Sequence, residues 1–302
     1  MNIAILTASY NREKLLTRLY YTIQKQTDHD FTWIIVDDGS TDNTESQVEK
    51  WKLQGNQFKL RYFKKRNGGK ISAINYAFKN CTDIDFFAVI DSDEQLLTTA
   101  VSVFRKKALE YEHDTSVGGI YFRFYGVDGT LLNNRNNSYP TEEIRCNIYN
   151  YANKYRMVDG CLSYYKRSIQ KYQYPEFECE NYLSPSVLCM LMARDYSMIF
   201  TKEVVAVAEY QASGLTKSGR ALRIKNPYGM IYAAWLHQSK LEPSYFVRLK
   251  YAIAAQAYTY IGRISRKDLQ NQGIDPCCLK LWAKMPGALL GHYWLRKYGT
   301  TR

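Results

Sequence analysis

The first 115 residues alternate between short, largely apolar runs and stretches whose apolar residues recur at helical spacing. Ile3-Ala4-Ile5-Leu6, Phe31 to Val36, Leu60 to Phe63 and Phe86 to Ile90 are the short runs, each ending in polar residues. That pattern predicts strands buried on both faces, as in a parallel sheet. Between them, Arg12 to Gln26 carries Leu15, Leu16, Leu19, Tyr20 and Ile23 on one helical face. Thr41 or Asp42 is placed to cap a helix running to about Trp51. Ile71 to Lys79 and Ala100 to Tyr111 are two more predicted helices. The alternation predicts an α/β fold: an open, mostly parallel sheet sandwiched by helices. Ligands of such sheets bind beyond the carboxyl ends of the strands.

After about residue 115 the pattern changes. Gly118 to Tyr125 alternates like a strand, Thr130 to Tyr139 is an Asn-rich loop, Val158 to Tyr165 is another strand and Ser186 to Arg194 a helix. From about Asn226 the chain is helical, aromatic and basic. The expected organisation is an α/β domain over 1–220, with halves 1–115 and 116–220, and a helical C-terminal extension over 221–302.

Three polar segments lie where the predicted strands end, and a fourth precedes a predicted helix. In Asp91-Ser92-Asp93 two carboxylates leave a buried strand together, and hard divalent cations such as Mg²⁺ or Mn²⁺ prefer such oxygens. In Val36-Asp37-Asp38-Gly39-Ser40-Thr41-Asp42, Asp38 is placed to accept hydrogen bonds from a base or ribose, and Gly39 lets backbone approach a ligand closely. In Thr7-Ala8-Ser9-Tyr10-Asn11-Arg12, Tyr10 suits stacking on a base and Arg12 suits a phosphate. Asn67-Gly68-Gly69-Lys70 is a turn before a helix whose N–H groups favour anions, with Lys70 adding charge. Its spacing is not that of a Walker loop.

The net charge is +12 with 41 Lys and Arg against 29 Asp and Glu, and the excess lies mainly from Lys217 onward. Such a balance suits nucleic acid, an anionic membrane surface or an anionic small substrate. No recognition-helix or RNA-binding motif is present, and the best-organised loops are acidic, which disfavours nucleic acid. The seven Cys form no C-x-x-C pair or zinc-ligand spacing, so reduced thiols are expected. No stretch approaches the ~20 apolar residues that span a bilayer, and no signal-peptide pattern opens the sequence. A soluble or peripheral cytoplasmic protein is expected.

Taken together, the four segments, with Ala73-Ile74-Asn75 after the Gly-Gly turn, resemble glycosyltransferase family 2, whose members have the Rossmann-like GT-A fold. The resemblance is specific over about 1–115 and fainter to about 215. It implies an inverting transfer of sugar from a nucleoside-diphosphate donor to a saccharide or lipid-linked acceptor, in surface polysaccharide or glycolipid synthesis. It implies donor contacts from Thr7, Ala8, Ser9, Tyr10, Arg12, Asp38, Gly39, Lys70, Asn75, Asp91 and Ser92. Asp93 is implied as the direct metal ligand, with Asp91 beside it, for Mn²⁺ or Mg²⁺. The general base of the family is an acid near an acceptor-side helix, where this chain reads Glu176-Phe177-Glu178-Cys179-Glu180-Asn181 and then Ser184-Pro185-Ser186. Many relatives have an acid at the following helix start, so this chain departs from the pattern. Glu180 is the first candidate and Glu178 the second. Glu209 to Gly219, with Lys217, has the composition of a lid over the diphosphate. The extension's aromatics among Lys and Arg suit either packing on the catalytic domain or an anionic membrane surface. A nucleotidyltransferase-like enzyme using the same carboxylates is the rival enzyme reading, and a basic nucleic-acid-binding protein the rival non-enzyme.

Overall fold

The computed structural model describes residues 1–132, 139–155, 159–209 and 215–299, without the side chains of 215–218. The chain groups into two compact units, Met1–Gln173 with Asp195–Glu209, and Tyr174–Arg194 with Tyr210–Arg302.

The first unit begins with the expected alternation: β1 (Ile3–Ser9), α1 (Glu13–Gln24), β2 (Thr32–Asp37), α2 (Thr44–Gln54), β3 (Lys59–Lys64), α3 (Lys70–Asn80) and β4 (Phe86–Val89). The two-residue β5 (Gln95–Leu96), α4 (Ala100–Glu110), β6 (Val117–Gly126), β7 (Ile144–Cys146), α5 (Ile148–Lys154), β8 (Cys161–Tyr165), α6 (Lys166–Lys171) and β9 (Ser197–Ala208) follow. The strands form one sheet in the order β3-β2-β1-β4-β8-β6-β9-β5, with β7 paired to β9. β3, β2, β1 and β4 are parallel neighbours, while β8 joins β4 and β6 antiparallel.

Strand periodicity splits the apolar residues between two faces. Ile3, Ile5, Trp33, Ile35 and Phe86 pack with Leu16, Leu19, Tyr20 and Ile23 of α1 and Val48 and Trp51 of α2. Tyr20 stacks on Trp51 at 4.2 Å. On the opposite face Phe78 of α3 meets Phe87 edge-on at 5.2 Å. With helices covering both faces, β1 and β2 are buried almost throughout, which is why their sequences are continuous apolar runs. The chain winds outward from β1 through β2 to β3 and returns to β4 on β1's other side. The reversal between β1 and β4 is the point where open α/β sheets leave a crevice for ligands.

The second unit is helical: α7 (Ser186–Met192), α8 (Leu215–Ile224), α9 (Pro227–Leu236), α10 (Tyr245–Gly262), α11 (Arg266–Asn271) and α12 (Lys284–Tyr298). Gly291 lets α12 approach α10 closely, since a Cβ there would stand 2.8 Å from the Ala257 carbonyl. Of the segment 209–219, expected as a lid, residues 210–214 and the side chains of 215–218, Lys217 among them, lie outside the described residues. So do Val158 and part of the Asn-rich loop. Arg220 is engaged in packing, with its guanidinium 3.9 Å from the Trp294 ring and a 2.9 Å hydrogen bond to the Tyr258 hydroxyl.

Candidate functional site

At the carboxyl edge of β1, β2, β3 and β4, four loops are tied one to the next by polar contacts. Asn11, in the left-handed region at φ 52°, joins the first loop to the second. Its backbone N–H donates to Ser40 Oγ at 2.9 Å, and its Oδ1 accepts from the Thr41 N–H at 2.8 Å. Asp38 joins the second to the third. Its carboxylate accepts from Lys65 Nζ at 2.9 Å, the Gly68 N–H at 3.0 Å and the Gly69 N–H at 2.6 Å. Lys70 joins the third to the fourth, with Nζ 2.5 Å from Asp91 Oδ1.

Local sequence explains these geometries. Gly39 has φ 85°, and a Cβ there would stand 3.1 Å from the Asn67 N and 3.2 Å from the Lys65 carbonyl oxygen. Only glycine lets the second and third loops close this tightly. Asp37 is fully buried and accepts from the Ser40 N–H at 2.7 Å and the Tyr62 hydroxyl at 2.6 Å, which keeps the strand end rigid. Asp42, expected as a helix cap, accepts from the Thr44 N–H at 3.0 Å at the start of α2 and from the Glu13 N–H at 3.1 Å at the start of α1. Asp91 turns the chain after β4, its N–H donating to Glu94 Oε2 at 2.8 Å.

The edge gathers charge of both signs. Burial and the neighbouring Asp91 push the Asp93 carboxyl up, while Arg12 and Lys70 pull it down. Burial and Asp91 likewise push Glu94 well above the ordinary carboxylate range. Burial works against the Lys70 charge, but Asp91, Glu94 and Asp93 outweigh it and hold the ammonium firmly. Two cations therefore face three carboxylates, and the carboxylates repel one another. Among the described residues no group of three or more His, Cys, Asp or Glu can hold a metal alone. A hard cation held by two carboxylates alone would need further oxygens, such as those of a diphosphate or water, to complete its shell.

The other expected donor contacts are distributed along the same edge. Thr7 is buried, and its hydroxyl accepts from the Trp33 indole N–H at 3.1 Å. Ala8 is half-buried and Tyr10 is 48% exposed, free for stacking. Ser9 is buried, and its Oγ has no hydrogen-bond partner among the described residues, an orphan that a bound ligand would satisfy. Ser92 and Asn75 are buried at the start of the Asp91 turn and on α3. Asn11, Lys65 and Glu94 hold the edge together and were not singled out from the sequence. Glu94 follows the two aspartates directly, which was a signal. Lys65 lies 27 residues from its partner and carried none.

In the second unit, the chain at 180–182 and the start of α9 exchange four hydrogen bonds. Glu180 accepts from the Tyr228 N–H at 2.6 Å and the Gly229 N–H at 2.8 Å. Asn226 Oδ1 accepts from the N–H groups of Asn181 and Tyr182 at 3.0 and 3.1 Å. Burial pushes the Glu180 carboxyl up to about 7, although both N–H groups oppose the shift. Glu178 is exposed, and its N–H donates to Gln272 Oε1 at 3.3 Å.

A family model for glycosyl transferase family 2 matches residues 4–173. An uncharacterized glycosyltransferase of Mycoplasma genitalium is 31% identical over 124 residues, 40% of this chain and 42% of that protein. A GalNAc(5)-diNAcBac-PP-undecaprenol beta-1,3-glucosyltransferase of Campylobacter jejuni is 30% identical over 118 residues, 37% of this chain and 36% of that protein. The matched stretches thus span less than half of these relatives. Staphylococcus aureus TarS 1-349, solved with UDP-GlcNAc, superposes over 99% of this chain and 82% of its own at a TM-score of 0.63 and 17% identity. The mannosyltransferase PcManGT of Pyrobaculum calidifontis, solved with GDP-Man and Mn²⁺, superposes over 99% and 88% at 0.59 and 16% identity. Those likenesses bear out the GT-A fold. With the family model covering more than half of its length and the four motif loops assembled on one sheet edge, the chain belongs to glycosyl transferase family 2.

Proposed function

We propose that this protein transfers a hexose from a nucleoside-diphosphate donor to a hydroxyl of a saccharide or lipid-linked saccharide, with inversion at the anomeric carbon. The observation that carries the reading is the stapled edge: Asn11, Asp38 and Lys70 hold four loops in register around Ser9, Arg12, Asp91 and Asp93. Ser9 Oγ and exposed Tyr10 are assigned to the base and ribose. Arg12 is assigned to the diphosphate, where its charge balances Asp93. Asp38 acts through the loop it clamps. Asp91 and Asp93 would hold a divalent cation, Mn²⁺ or Mg²⁺, which when bound supplies positive charge against the leaving diphosphate.

In the transfer the acceptor hydroxyl loses its proton to a carboxylate as its oxygen bonds the anomeric carbon. The bond to the diphosphate breaks and its electron pair leaves with the phosphate oxygen. Glu180 is assigned as that carboxylate. A base titrating near neutrality is matched to its task, and the Glu180 value meets this condition. Its two N–H donors leave each oxygen a further lone pair. Glu178 is the second candidate.

The setting we infer is bacterial surface polysaccharide or glycolipid assembly, at the inner face of the cell membrane. The Campylobacter relative, whose name places its acceptor on PP-undecaprenol, favours a lipid-linked acceptor. Among the described residues no helix is long and apolar enough to cross a membrane, so attachment would be peripheral. A panel of UDP- and GDP-sugars, assayed with Mn²⁺ for transfer to short glycans and polyprenyl-diphosphate glycans, tests the reading. Transfer with inverted anomeric configuration by NMR is expected. Retained configuration, or nucleotide release with no sugar transferred across the panel, would overturn it.

A further inference from the structure

Helix α12 and the short turn before it (Leu281–Ala283) divide sharply into two faces. The inward face is Gly287, Gly291 and Trp294, buried against α10 and spaced as i, i+4 and i+7. The opposite face carries Trp282, Met285, Leu289 and Tyr293, which are 53%, 75%, 65% and 52% exposed. At 100° per residue Met285, Leu289 and Tyr293 fall within one stripe, with Arg296 on the same line and Trp282 in the turn just before it. Large apolar side chains gathered on one exposed stripe mark an interaction surface, whereas scattered ones do not.

The charge around the stripe selects its partner. Residues 210–302 contain fifteen Lys and Arg and three Asp and Glu, a balance of +12 that equals the charge of the whole chain. The remainder, including the donor edge, is neutral. From Pro276 to Arg302 there is no Asp or Glu at all. Arg296 lies on the stripe and Lys297 beside it, and Lys280 and Lys284 are near its start; all four are exposed. Lys297 keeps its ammonium over the Tyr293 ring at 5.6 Å and donates to the Tyr293 hydroxyl at 3.1 Å, so the aromatic and the charge are presented together.

We propose that the outer face of α12 is a bilayer-docking surface, with Trp282, Met285, Leu289 and Tyr293 entering the headgroup–acyl boundary of an anionic membrane and the flanking lysines and arginine meeting its phosphates. An amphipathic helix with Trp and aliphatic residues on one side and cations beside them lies in that boundary rather than crossing it. A helix face that meets only water would not gather Met285, Leu289 and Tyr293 on one stripe, and a protein partner would need an acidic rim to match these cations. The surface deepens the reading of peripheral attachment and rests on it only for its purpose.

The test is co-sedimentation of the full chain with vesicles of phosphatidylcholine, alone or with phosphatidylglycerol, using native protein and a Trp282→Ser/Met285→Ser/Leu289→Ser variant. These side chains are exposed, so the variant should keep its melting temperature and its thermal shift with UDP and Mn²⁺. Native protein should sediment with phosphatidylglycerol vesicles and far less with phosphatidylcholine alone, and salt should release it. The variant should bind roughly tenfold more weakly or worse. Equal binding by the variant, or no binding by native protein, would overturn the proposal. So would a native dimer in sedimentation velocity that the same substitutions dissolve, because the face would then belong to a second copy. Because no outcome depends on turnover, failure here leaves the transferase reading standing.

Discussion

Lys70 Nζ stands 2.5 Å from Asp91 Oδ1, and the residue before it, Gly69, donates its N–H to Asp38. Two consecutive residues at the start of α3 thus span from the acid after β2 to the acid after β4. Asp38 and Asp91 cannot move apart without breaking one of these contacts.

Removing that link should cost stability in a pH-dependent way. Lys70→Met leaves Asp91, Asp93 and Glu94 with Arg12 as the remaining nearby cation on Asp93. A half-exposed carboxylate pair deprived of its cation costs about 1–2 kcal/mol, less than a fully buried one. Urea denaturation at pH 7 should show that loss. At pH 4 it should shrink, because Asp93 and Glu94, both held above their ordinary values, then take up protons. A loss that stays constant with pH would count against the charge relationship.

Asp38 is expected to act on the loop before it acts on a ligand. Asp38→Asn presents an NH₂ group to donors that need an acceptor, which leaves a half-buried N–H of Gly68 or Gly69 unpaired at about 1 kcal/mol. Amide hydrogen exchange at Gly68 and Gly69 should accelerate in that variant, while the central strand amides of β1 and β2 stay protected. Unchanged exchange at the two glycines would remove Asp38 from the clamp.

Gly39→Ala tests the close approach of the second and third loops. The φ of 85° and the 3.1 Å distance to the Asn67 N both oppose a Cβ. A destabilisation of roughly 1–2 kcal/mol is expected from the strained backbone, together with weaker nucleotide binding. A variant as stable as native protein would mean that the loops have slack.

The signs for Glu180 run opposite to those for a salt-bridged acid. Its folded value is about 7 against an ordinary 4.5, so between those values the folded protein binds more protons than the unfolded chain. Stability from this group is therefore highest below about pH 4.5, falls as pH rises to about 7, and is level above that. Partial exposure limits the effect to roughly 1–2 kcal/mol. Glu180→Gln should flatten the slope in denaturation midpoints between pH 5 and 7. The same variant should lose turnover and keep nucleotide binding if Glu180 is the base. Full activity would pass that role to Glu178.

Much of the parallel half of the sheet was legible because its causes are local. Ile3 to Leu6 and Phe31 to Val36 are continuous apolar runs, since both faces of β1 and β2 are covered, and each run ends at the carboxyl edge of the sheet. The helical spacing of Leu16, Leu19, Tyr20 and Ile23 is the buried face of α1. The antiparallel half of the sheet was less legible. β5 has two residues and β7 three, too short for any periodicity to declare them. The strand expected from Val158 is described from Cys161. Contacts between distant residues were the least legible. Nothing near Lys65 signals Asp38, and nothing near Glu180 signals the N–H groups of Tyr228 and Gly229, 48 and 49 residues on. Such pairings depend on the finished fold.

The most direct measurement is calorimetric titration of UDP and GDP, with and without Mn²⁺, into native protein and Asp93→Ala. Native protein should bind at least one of the nucleotides, and Mn²⁺ should tighten that binding about tenfold or more, with the gain lost in Asp93→Ala. Binding that ignores both Mn²⁺ and Asp93, or no binding of either nucleotide, would contradict the assignment of this edge to a sugar diphosphate.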